Sequence, residues 1–142
     1  MPDKMIRLRI ITPAKTKIDE DFQMVVMRCT TGDMGILYGH EPYSAVLGYG
    51  ILRMVKGGID ERRIAVYGGF AEIRNNVLTV LTGDAEWPDE IDQARAQADR
   101  DAVQERLRDK TDDMELKHDE ALLRRALVQI EITSEALTAK DE

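Results

Sequence analysis

A histidine and a serine four residues apart, His40 and Ser44, stand in the stretch GDMGILYGHEPYS, residues 32–44. Nucleophilic catalysis needs a base beside a serine or cysteine, and a third group that orients the base. His40 and Ser44 offer a base and a nucleophile, but the sequence shows no orienting acid or oxyanion device for them. The alternative is a loop that presents backbone and shape to another protein, with His40 capping a turn or packing at an interface. A second place with chemical potential is EIDQARAQ, residues 90–97. On a helix, Asp92 and Arg95 lie three apart and Arg95 and Asp99 four apart, which is the spacing of a surface ion-pair ladder. Such pairs contribute about 0.3–0.5 kcal/mol each. In the rival reading, Arg95 and an arginine of a second helix, Arg124 or Arg125, converge on a phosphate, because the planar arginine fork binds phosphate oxygens in pairs.

Other chemistries lack their residues. There is no GxxxxGK[ST] loop to cradle a phosphate and no GxGxxG after a strand. The only histidines are His40 and His118, and the single cysteine, Cys29, sits in an apolar run. That inventory makes neither a metal cluster nor an internal disulfide, and it fits a reducing compartment. A net charge of −7 argues against a nucleic-acid partner, which requires a basic face. No apolar run approaches the roughly 20 residues that span a bilayer, and no basic leader runs into an apolar core.

The elements that must position these residues fall into two physically different parts. Up to Trp87 the chain has eleven acidic and eleven basic side chains. From Pro88 onward it has sixteen acids and nine bases, so the whole net charge lies in the last 55 residues. All ten glycines and all seven aromatics precede Pro88. The boundary therefore falls between residues 1–87 and 88–142.

In the first part, MIRLRIIT alternates Ile6, Leu8 and Ile10 against Arg7, Arg9 and Ile11, a strand with one buried face. QMVVMRC and the long run ILRMVKGGIDERRIAVYGGFAEIRNNVLTVLTGD continue as a meander. Gly57 with Gly58, and Gly68 with Gly69, are expected to supply positive φ in tight turns, and Asn75 with Asn76 a two-residue hairpin turn. Strands at spacings of about ten residues favour a β-sandwich or barrel.

The second part reads as two helices of about 22 and 26 residues. Pro88 can open the first, with Asp89, Glu90 and Asp92 at its dipole-favoured end. Ile91, Ala94, Ala98, Ala102 and Leu107 form a narrow apolar stripe. DKTDDME interrupts it, and Asp112 followed by Glu115 resembles a capping box for the second helix. Leu116, Leu122, Leu123, Ala126, Leu127, Ile130 and Leu137 continue from there. An antiparallel hairpin with so many alanines buries little area. The same segment could fold back on itself or open onto a partner that covers its stripes.

GDMGILYGHEPYSAV, YGGFAEIRNNVLTVLTGDAE and EIDQARA, in that order and ahead of an alanine-rich charged hairpin, resemble the epsilon subunit of bacterial and plastid F-type ATP synthases. The resemblance covers essentially the whole chain. It implies an α+β protein: an N-terminal β-sandwich of about ten strands followed by a C-terminal antiparallel two-helix hairpin. It implies a non-catalytic subunit, peripheral on the cytoplasmic side of the plasma membrane without inserting into it. The sandwich would bind the gamma subunit and the c-ring, coupling proton or sodium flow to the catalytic head. Asp33, Gly35, Tyr38 and His40 match the family's loop at the foot of the sandwich. Asp33 would meet a polar loop of the ring and His40 would support the turn; Tyr38 stands where the family often has proline. The hairpin would permit turnover when folded down, and block ATP hydrolysis when extended into the alpha/beta head beside gamma. No cofactor is required, but some members bind regulatory ATP through an I/L-D-x-x-R-A motif. Here that is Ile91, Asp92, Arg95 and Ala96, with Glu86 and Arg125 at further matching positions. Gln129 stands where another arginine is expected.

Two readings from other classes stand beside this one. A free-standing adaptor with a helical arm has no reason to form a complex with gamma. A small hydrolase using His40 and Ser44 predicts an activity that His40→Ala abolishes.

Overall fold

The computed structural model describes residues 4–109 and 112–141, and their side chains except those of 60, 61 and 136–141. Leu137, as a side chain, and the central residues 110 and 111 of the inter-helix link lie outside that description. The chain forms two compact units, Met1–Glu86 and Trp87–Glu142.

Eight strands build the first unit among the described residues: β1 Ile6–Ile11, β2 Thr16–Phe22, β3 Met24–Cys29, β4 Gly32–Leu37, β5 Tyr43–Lys56, β6 Ile59–Arg74, β7 Val77–Leu81 and β8 Ala85–Glu86. Their order is β2-β1-β7-β6-β5-β3-β4, with β8 on β6. Neighbours are antiparallel except β1 and β7, which run parallel. The period-two pattern of β1 is realised: Ile6, Leu8 and Ile10 are fully buried, while Arg7 and Arg9 face out. Arg7 Nε donates to Asp19 Oδ1 on β2 at 2.6 Å, and this bond holds the Asp19 carboxyl below its ordinary range. Exposed pairs of this kind set register more than they stabilise.

The sandwich has two layers because β5 and β6, 14 and 16 residues long, pass from one layer to the other. Residues 70–74 of β6 pair with β7, which pairs in turn with β1, whereas residues 65 and 66 of β6 pair with β8 and residues 47 and 53–55 of β5 pair with β3. Eight strands stand where about ten were expected because these two bend without breaking. The bend in β6 sits at Gly68 and Gly69, with φ of +78° and +118°. These glycines therefore do not form the turn expected from the sequence. Gly57 and Gly58 do, between β5 and β6, and Asn75 and Asn76 close the β6–β7 hairpin with φ of +51° and +63°.

In the second unit Pro88 opens a 3₁₀ turn, Pro88–Glu90, rather than the first α-helix. Ile91 and Asp92 are extended, and α1 runs from Gln93 to Leu107, 15 residues instead of about 22. α2 runs Asp113–Asp141, 29 residues. Its N-cap is Asp112, whose Oδ1 accepts from the N–H groups of Met114 at 2.9 Å and Glu115 at 3.4 Å. The helices lie antiparallel, tied by Gln93 Nε2 donating to Ser134 Oγ and Arg106 Nη2 donating to Asp119 Oδ1.

The buried face of α1 is not the expected one. Ala96 and Val103 are buried, with Gln93, Arg100 and Leu107 half-buried beside them, while Ala94, Ala98 and Ala102 are exposed. Alanine contributes so little transfer energy that its spacing marks a face weakly; the single valine marks it better. On α2, Ala126 is buried and Leu116, Leu123 and Ile130 are half-buried, but Leu122 and Leu127 face outward. Asp119, Val128, Ile132 and Thr133 are buried instead.

Candidate functional site

The stretch 32–44 is not one loop. Gly32–Leu37 is β4, an edge strand paired along β3, and only residues 38–42 are irregular. Asp33 faces out opposite Arg28, whose Nε donates to its Oδ1 at 3.3 Å, and Gly35 follows on the same exposed face. Tyr38 and His40 belong to the loop beyond the far end of β4. At about 3.4 Å per residue, Asp33 lies on the order of 13 Å from Leu37, where that loop begins. The structure joins Tyr38 with His40 and separates both from Asp33.

The loop is held from three directions. Gly39, at φ +83°, donates its N–H to Asn76 Oδ1 at 2.7 Å. The carbonyl of Asn76 accepts from Arg7 N–H, so one turn anchors both β1 and the loop. His40 N–H donates to the Leu37 carbonyl, and its Nδ1 donates to the Glu41 carbonyl at 2.7 Å. The Tyr43 ring meets the imidazole edge-on at 6.4 Å. His40 thus braces a turn. Ser44 points out from β5 opposite Glu72, and no described contact links it to His40. Cys29 is buried; desolvation first, then the charge of Asp33, push its thiol above the ordinary range, away from the reactive thiolate. Among the described residues no cluster of His, Cys, Asp and Glu has the arrangement of a metal site.

A surface that the sequence reading missed lies on the outer face of the layer containing β1 and β7. Val46, Phe70 and Leu81 are 57, 43 and 50% exposed and are direct cross-strand neighbours on β5, β6 and β7. Ile11 on β1, paired with Leu81, extends the row. Four strands at about 4.8 Å spacing give an apolar band roughly 14 Å long. Two residues along, the same face carries the polar row Ser44, Glu72, Thr79 and Arg9. An apolar band bordered by polar residues marks a protein contact surface. Its sequence signal was the pairing of apolar neighbours where polar residues should alternate: Val46 between Ala45 and Leu47, Phe70 before Ala71, Leu81 after Val80.

In the second unit, Asp92 is the N-cap of α1, and its Oδ1 accepts from Arg95 N–H at 3.2 Å. The expected ion-pair ladder is not formed. Arg95 is exposed, and its guanidinium pairs with neither Asp92 nor Asp99. Ile91 is half-buried, Ala96 is buried, and Arg125 is half-buried on α2. The two cross-helix bonds set a register in which Arg95 lies about six residues, or ~9 Å, from the level of Arg125. In the first unit, the Glu86 carboxylate accepts from Tyr67 Oη at 2.6 Å. No described helix is long and apolar enough to cross a membrane.

Comparison with known proteins gives these surfaces a context. Residues 5–88 match the family model of the ATP synthase delta/epsilon chain β-sandwich domain. The ATP synthase epsilon chain of Caldanaerobacter subterraneus is 38% identical over 93% of this chain and 96% of its own length. That of Bacillus subtilis is 41% identical over 80% of this chain and 86% of its own. A chain of the Euglena gracilis mitochondrial ATP synthase, solved with its OSCP, F1 and c-ring, shares the fold at a TM-score of 0.78. That similarity covers 94% of this chain and 82% of the other, at 24% identity. With a sandwich matched across its length and relatives aligned through both units, the chain belongs to the epsilon chain family of ATP synthase.

Proposed function

We propose that this chain is a non-catalytic subunit of the central stalk, held by gamma and the c-ring on the cytoplasmic side of the membrane. Its sandwich transmits rotation driven by protons or sodium ions. The observation that carries this reading is the row Ile11, Leu81, Phe70 and Val46. Three large apolar side chains about half exposed and adjacent on one face make a contiguous patch of the kind that marks a protein contact surface. Gamma is assigned to this row. The edge with Asp33 and Gly35, and the braced loop with Tyr38 and His40, are assigned to the ring. Co-purification with gamma, followed by hydrogen exchange, tests the assignment. Protection at residues 43–47, 70–72 and 79–81 is expected, and a complex that leaves these amides unprotected moves gamma elsewhere.

The hairpin is the regulatory element: folded it permits turnover, and extended into the alpha/beta head it blocks hydrolysis. Its seam supports this role because α1 brings little apolar area to it, with Ala96 and Val103 buried, and α2 buries the polar Asp119 and Thr133 beside Ala126, Val128 and Ile132. Regulatory ATP would bind the folded form through Ile91, Asp92, Arg95, Ala96 and Arg125. Arg95 is suited to a phosphate because its guanidinium is exposed and outside the ion pairs of α1. Asp89, Glu90 and Asp92 nearby oppose it, which points to weak binding aided by Mg²⁺. Titration of the full chain with Mg-ATP is expected to move the amides of residues 91–96 and those near Arg125, and Arg95→Ala is expected to abolish the shifts. Unmoved amides at millimolar nucleotide would remove ATP from the mechanism and leave the hairpin to gamma and rotation.

A further inference from the structure

On α2, three buried residues recur every seven positions, Asp119, Ala126 and Thr133. This is the repeat of a helix–helix seam. Two members are small and neutral, but the third is a carboxylate only 3% exposed. Its Oδ1 accepts from Arg106 Nη2 at 3.3 Å, across from α1 and one residue before that helix ends at Leu107. The guanidinium is half in water, with 47% of its side chain exposed, while the carboxylate side chain is 5% exposed. At the other end of α1 the tie is Gln93 to Ser134, an exposed neutral bond.

A buried carboxylate tolerates its place only while a cation is near it. In separated helices both groups are hydrated at little cost. An apolar residue of similar size at this position would hold the helices together as well or better. We propose that the Arg106–Asp119 pair is a latch at the linked end of the hairpin. It fixes the register of the closed form and, by replacing apolar contact with a conditional charge pair, keeps opening within reach. The pair also makes closure sensitive to any partner that draws Arg106 away, since the buried carboxylate then loses this cation.

The test is a distance measurement on the full chain in a Cys29→Ala background. Spin labels are placed at the exposed positions Gln104 and Lys117 through Gln104→Cys and Lys117→Cys. Arg106→Met is expected to raise the ratio of separated to closed hairpin at least about tenfold, a lower bound because the arginine is half exposed. Arg106→Lys, which restores a cation, should bring most of it back. Asp119→Leu should lower the ratio below that of the parent, and adding Arg106→Met to Asp119→Leu should change nothing further. An unchanged ratio in Arg106→Met, or an equal rise in both backgrounds, overturns the latch. Asp119→Leu in particular gives a closed, folded hairpin to measure even where Arg106→Met loses helix. The biological consequence rests on the regulatory role proposed above. That role is decided separately, by whether hydrolysis in the assembled complex follows the same order of variants.

Discussion

Gly69→Ala is expected to destabilise the first unit by roughly 3 kcal/mol or more, the sum of a strained backbone and an overpacked contact. Gly69 has a φ of +118°, which residues with a β-carbon rarely adopt. A methyl group there would stand 2.2 Å from the Leu81 carbonyl oxygen and 2.9 Å from Thr82 Cα. Both are backbone atoms, and neither can withdraw cheaply. Leu81 pairs with Phe70 and with Ile11, and Thr82 N–H donates to the Ile11 carbonyl. For a domain of this size the loss corresponds to a melting temperature lower by about 12–24 °C. Gly57→Ala provides the contrast. Its φ is +67°, but nothing lies within 4 Å of the added carbon, so only about 1 kcal/mol of conformational strain is expected. Thermal unfolding of the two variants, followed by circular dichroism, checks the difference. Equal melting points would mean that β6 can bend without its glycine.

Phe70→Asp is expected to weaken the complex with gamma by at least about thirtyfold while leaving the fold of the isolated chain intact. The side chain is 43% exposed and lies mid-row between Val46 and Leu81, so its replacement removes an aromatic anchor and puts a charge in the apolar band. Glu72→Ala, on the same strand and face but in the polar row, should cost less than about 1 kcal/mol. Titration calorimetry against gamma distinguishes the two. An Asp at position 70 that binds as well as Phe would assign the band to something other than gamma.

The sequence made the division of the chain and much of the first unit legible because those features rest on strong local physics. The alternation of Ile6, Leu8 and Ile10 has one buried face and cannot be read otherwise. Asn75 and Asn76 adopt the left-handed backbone that a tight hairpin turn needs, and Asp112 accepts from the N–H groups it was expected to cap. What was misread depends on distance or on weak signals. Gly68 and Gly69 look like a turn, but whether two glycines reverse a strand or bend it between layers is decided by strands far away in sequence. The face of α1 was rotated because alanine at 94, 98 and 102 differs too little from its polar neighbours to mark an interior. Within the candidate site, His40 was legible as a brace. Asp33 was misplaced because a glycine-flanked stretch was read as loop, when pairing with Arg28 and Met27 on β3 makes it strand. The row through Phe70 was missed because it exists only once four strands are laid side by side.

The most direct test of the regulatory hairpin ties it shut. Gln93 Nε2 and Ser134 Oγ meet across the helices at 3.0 Å. In a Cys29→Ala background, Gln93→Cys with Ser134→Cys therefore places two thiols that a short reducible bis-thiol linker can join, the oxidised state, and a thiol reductant can part, the reduced state. ATP hydrolysis by the alpha/beta head with gamma is then measured with this variant bound, first oxidised and then reduced. Hydrolysis should run uninhibited with the oxidised chain and fall when reduction lets the helices extend. Equal inhibition in both states would contradict a hairpin that acts by opening.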